Sequence, residues 1–167
     1  MPPPRDLEVL LEVRDVNAMI VPSPVLGAPM PVLVLELEDG REFTLYHVPY
    51  EIVRALNNLR SGSDSLGGRE SIFDVFASMK DLVEELGKSL ESVVVDELDY
   101  NTGLYTAKAY FRLGGLQMMR RMIPSHAIFL AVLFGRPIYV SRRLVDAQAE
   151  MGAVLSDEVS EEEEEEF

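Results

Sequence analysis

The chain has 167 residues with a formal net charge of −14, enough length for one domain with a proper core and short for two. It has no cysteine, which excludes disulfides, iron–sulfur clusters and thiolate metal sites. No apolar run approaches the roughly 20 residues that cross a bilayer. Met1-Pro2-Pro3-Pro4 lacks the apolar core of a signal peptide, so a cytoplasmic location is expected.

In chain order, residues 7–13 and 16–21 are short and β-rich, and two strands are expected. A Pro-rich loop follows. Pro31–Glu38 and Arg41–Tyr46 flank Asp39-Gly40, predicting a hairpin with a type I′ turn. Pro49 opens a helix with Ile52, Val53, Leu56 and Leu59 at helical spacing, ending near Ser61-Gly62. After a polar, Gly-rich loop, Ile72–Leu86 is expected to be one amphipathic helix closed by Gly87.

Leu90–Leu98 and Leu104–Leu113 then read as hairpin partners across Tyr100–Gly103, and Gly114-Gly115 turns into a third strand, Leu116–Met122. Pro124 opens a helix that is apolar nearly all round and so buried. Gly135 stops it, Pro137–Val140 forms a short buried strand, and Ser141 caps a last helix to about Glu150. The order is mixed, without regular βαβ alternation. It predicts a single α+β domain over residues 1–155, a largely antiparallel or mixed sheet with about four helices packed on it. Residues 156–167, with the run Glu161–Glu166, are expected to be a disordered acidic tail. The sharper alternative is a tail that folds back on basic residues as a nucleic-acid mimic.

Charge is segregated. Residues 101–145 hold seven Lys and Arg and no acid, whereas residues 1–100 hold 8 basic and 19 acidic groups. Local fields follow local charge, so this segment is where a phosphate-bearing ligand would meet the protein. His126 follows Pro124 and Ser125 in the first turn of its helix, where backbone N–H groups attract anions. Arg120 and Arg121 are near in sequence. This predicts a phosphate site with His126 as proton carrier, beside the plainer reading that Ser125 is an N-cap and His126 bonds locally. His47 is expected to be partly buried and satisfied. Glu97 and Asp99 share one strand face by period two and Asp96 the other.

The run Ile123-Pro124-Ser125-His126-Ala127, the apolar helix, and Gly135-Arg136-Pro137-Ile138-Tyr139-Val140 resemble the bifunctional nuclease domain family. That family typically reads Arg-Pro-Ser-Asp, an apolar helix, then Gly-x-Pro-Ile-Tyr-Val. Phe43–Ile52 also resembles a family stretch, keeping the aromatic at Tyr46 and the acid at Glu51, as does Leu86–Leu90 leading to Gly103–Ala107. The likeness spans about residues 32–148. It implies a nuclease acting on RNA or DNA, with His126, Ser125 and Glu51 as catalytic candidates and Arg120, Arg121 and Pro124 as binding candidates. It leaves the cofactor open, a divalent metal included. Ile123 and His126 replace the family's Arg and Asp, and a His expected at the second helix is absent. These losses favour the alternative, a non-catalytic binding protein or dimeric scaffold on the same fold. Met118, Met119 and Met122 are candidates for a homodimer contact.

Overall fold

The computed structural model describes residues 8–23, 27–61 and 68–152. The acidic tail expected at 156–167, and with it the domain boundary at 155, lies outside the described residues. Seven strands form one mixed sheet in the order β3-β2-β1-β7-β4-β5-β6. β1 (Leu10–Pro22) is one long strand where two were expected. Its pairing shifts register between Val13 and Asp15, a bulge at Arg14. β1 divides its pairing close to the bulge: Leu10–Glu12 pair with β7 (Ile138–Ser141), and Val13 and the residues from Asp15 to Pro22 pair with β2 (Pro29–Leu37). A bulge bends a strand and sharpens its twist.

β2 and β3 (Glu42–Leu45) form the expected hairpin with a different turn. Gly40 has a positive φ of 86° whereas Asp39 does not, and the Gly40 N–H donates to the Leu37 carbonyl. That is a three-residue connection ending on a left-handed glycine, not type I′. α1 (Tyr50–Ser61) buries Ile52, Val53, Ala55 and Leu56.

The helix expected over residues 72–86 is two. α2 (Ile72–Ser78) starts with a reciprocal capping box between Ser71 and Asp74 and ends at Met79. A turn then leads to α3 (Glu84–Ser89). Gly87 lies inside α3, and a Cβ there would lie 2.1 Å from Cδ1 of Phe134, so only a bare backbone fits against that ring. With this division the described helical segments number five.

β4 (Leu90–Asp99), β5 (Leu104–Leu113) and β6 (Leu116–Met122) form an antiparallel meander, and β4–β7 is the sheet's parallel pair. α4 (Pro124–Phe134) lies in the core, with Ala127 to Ala131 all buried, and Gly135 closes it at φ 64°. Ala107 and Ala109 of β5 are fully buried beneath it. Their small side chains let the helix approach the sheet. The sheet coils until Phe43 of β3 meets Tyr105 of β5 edge to face at 5.1 Å. The final helical segment, α5 (residues 142–152), closes the remaining gap. There the Gln148 amide accepts from the Thr44 N–H at 2.8 Å and donates to the Thr44 carbonyl at 2.9 Å. One side chain thus supplies β3's open edge with the two bonds a neighbouring strand would make. No helix among the described residues is long and apolar enough to cross a membrane.

Candidate functional site

A cleft of about 380 Å³ opens at the N-terminus of α4. The loop from β3 to α1 forms one wall with Tyr46, His47, Val48 and Pro49; Gly103, Leu104 and Tyr105 form another. Ile123, Pro124, Ser125 and His126 close it. The chain has two histidines, and this cleft holds both.

The start of α4 gives the cleft its polarity. Ile123 is the N-cap and Pro124 the first helical residue, so Ser125 is not the cap that the sequence offered as an alternative. The Ile123 carbonyl accepts from both the His126 and Ala127 N–H groups at 3.1 Å. Pro124 has no N–H. Among the described residues the Ser125 N–H therefore has no backbone acceptor, and its hydroxyl sits in the same buried position with no side-chain partner. A donor pair at the start of an 11-residue helix is a natural anion seat.

His126 is half-buried, packed edge to face on Phe73 at 5.1 Å. Burial lowers its pKa from the ordinary 6.5, which favours the neutral, proton-accepting imidazole. His126 also lines a smaller apolar pocket of about 190 Å³ with Phe73, Phe76, Met122 and Phe129. His47 is exposed rather than partly buried, and it is the described non-glycine residue with positive φ, 55°. Such a conformation is uncommon outside glycine and recurs where a side chain must be aimed. The strand ends at Leu45, so His47 stands in the loop before α1, where it lines the cleft.

The remaining candidates stand elsewhere. Glu51 is exposed in the first turn of α1 and does not line the cleft. Arg120 and Arg121 lie opposite Ala109 and Lys108 and so occupy opposite sheet faces. Arg120 shares the face of Met122 beside His126 and has no ion-pair partner among the described residues. Arg121 is held by Glu97 at 2.5 Å. Neither arginine lines the cleft.

Most of the acid-free segment's charge is spent within the fold. Lys108 binds Asp96 at 2.9 Å and Glu97 at 3.3 Å, Arg112 binds Glu91, and Arg143 binds Glu8. Arg136 donates twice to the Gly87 carbonyl. Asp96 and Glu97 were expected on opposite faces. The register slips between Val95 and Glu97, so both carboxylates reach one ammonium. Burial alone would lower the Lys108 pKa, but its two carboxylates outweigh that and raise it.

A divalent metal does not fit this cleft. Magnesium and manganese take oxygen ligands, chiefly carboxylates, and among the described residues no carboxylate lines it. Among the described residues no three His, Asp or Glu side chains are grouped to hold a metal ion.

No curated protein matches the chain. Residues 72–152, which carry α2 to α5 and the Pro124-Ser125-His126 wall of the cleft, match the model of the Bifunctional nuclease domain, and this segment is what the chain shares with that family.

Proposed function

We propose that the chain is a metal-independent nuclease that cleaves single-stranded RNA at the α4 cleft. The observation that carries this reading is that both histidines and Ser125 line one cleft. Phosphodiester cleavage without a metal needs a base, an acid and a positive field at the phosphate. In RNA the nucleophile comes with the substrate, as the 2′-hydroxyl. Neutral His126 takes the proton from that hydroxyl as the 2′ oxygen attacks phosphorus. The bond to the 5′ oxygen breaks, and His47, as the acid, supplies that oxygen's proton. The products are a 2′,3′-cyclic phosphate and a 5′-hydroxyl, with no net change in protons. The Ser125 N–H and hydroxyl, with the α4 dipole, hold the phosphate oxygens. Tyr46 and Tyr105 offer ring surface for bases, worth about 1–3 kcal/mol per stacked base.

The test is turnover of labelled RNA and DNA by the wild type, His126→Ala and His47→Ala. RNA alone should be cut, and each substitution should lower the rate at least about 100-fold, the usual scale for a lost acid or base. Unchanged cleavage in both variants would contradict the assignment. A second reading rests on one observation: among the described residues no Lys or Arg lines the cleft. Under it the chain binds a nucleotide unit without cutting it, and RNA would bind at the cleft with no turnover in any condition.

A further inference from the structure

A different cleft, of about 670 Å³, is bounded by the β1 bulge, the last turns of α1 and α4, and the turn between α2 and α3. We propose that it binds a small amphiphilic anion, an apolar body carrying one carboxylate or phosphate head. Its size falls in the range of small-molecule sites. Leu56, Leu59, Ala131, Val132 and Ile138 give it an apolar floor.

Its rim is cationic in a protein of net charge −14: Arg14, Arg60, Lys80 and Arg136 stand against Glu12 and Asp15. Arg60 is spent, since it donates to Asp15, Asn17 and the Val16 carbonyl. Arg14, the bulged residue, has only loose partners in Glu12 at 3.7 Å and Glu38 at 3.8 Å. Arg136 has no carboxylate. Its Nε and Nη2 donate to the Gly87 carbonyl at 3.2 and 3.1 Å, which fixes the guanidinium plane and leaves Nη1 free. The Lys80 side chain is exposed and has no ion-pair partner among the described residues. Two uncompensated cations thus flank an apolar floor, one of them preoriented. Glu12 and Asp15 on the same rim repel a long polyanion and leave room for a single charged head.

The probe is 1-anilinonaphthalene-8-sulfonate, itself an apolar body with one anionic head. The chain has no tryptophan, so its emission is read without that background. Titration into the full chain should saturate at one site. Lys80→Glu should weaken binding about tenfold, the scale of one lost charge contact, and Val132→Glu, at an exposed lining position, should abolish it. Decanoate and adenosine 5′-monophosphate then compete separately, and displacement by one identifies the head as carboxylate or phosphate. Unchanged dye affinity in both variants, or displacement by neither competitor, would overturn the proposal. Cleavage of RNA plays no part in this readout, so its outcome is independent of the α4 cleft.

Discussion

Burial holds the His126 imidazole toward its neutral form, and that has a thermodynamic consequence. Its folded pKa lies below the ordinary value, so as pH falls past about 6.5 the unfolded chain takes up the proton first. Stability from this group is complete above that value and is lost as pH falls through the lowered folded pKa. Wild type and His126→Gln, melted between pH 7.5 and 5, should therefore differ: the variant loses less stability on acidification. Equal slopes would show that His126 titrates normally. Gly87 makes a second point at this scale. Gly87→Ala places a methyl group into the Phe134 ring and should destabilise by about 1–3 kcal/mol, the cost of overpacking. Phe134→Leu should restore part of it, as chemical denaturation of the double variant would show.

At the level of elements, the sheet keeps its curl because α5 reaches across to β3. Gln148 bonds both backbone groups of Thr44 and also the Tyr105 hydroxyl, whose pKa burial raises and this bond lowers in part. Gln148→Glu keeps the shape but removes the donor to the Thr44 carbonyl. It should cost about 1–2 kcal/mol, a lost bond to a part-buried group, and speed amide exchange at β3 before the rest of the sheet. Uniform exchange would mean that the edge is held by packing alone. The strands from Leu90 to Met122 and the buried helix at Pro124 were legible because apolar period, glycine turns and the proline start all agree there. The 72–86 region was not. Its apolar spacing is continuous, and that spacing carries no sign of the close approach of α3 at Gly87 to Phe134, 47 residues apart in sequence. The Arg14 bulge was hidden for the same reason: it is set by which neighbour each half of β1 pairs with. In the site, Ser125 and His126 were visible from the helix start. His47 was not, since its placement depends on a single left-handed residue after the strand.

Over the whole molecule, segregated charge turned out to be largely internal pairing. Lys108, Arg112, Arg121 and Arg143 each meet a carboxylate, so the acid-free segment is not an open basic face. RNA bound at the α4 cleft should consequently displace few counterions. The logarithm of its affinity should fall with that of salt at a slope no steeper than about −2, given roughly −0.7 per phosphate contact on single strands. A slope near −5 would require a basic track beyond this cleft. The central claim is that two imidazoles perform metal-free cleavage through the 2′-hydroxyl. Its most direct test is end-group analysis of RNA cut in excess chelator. The account predicts 2′,3′-cyclic phosphate ends in undiminished yield, lost in both His126→Ala and His47→Ala. Cleavage that stops in chelator, or that leaves 5′-phosphate ends, would contradict it.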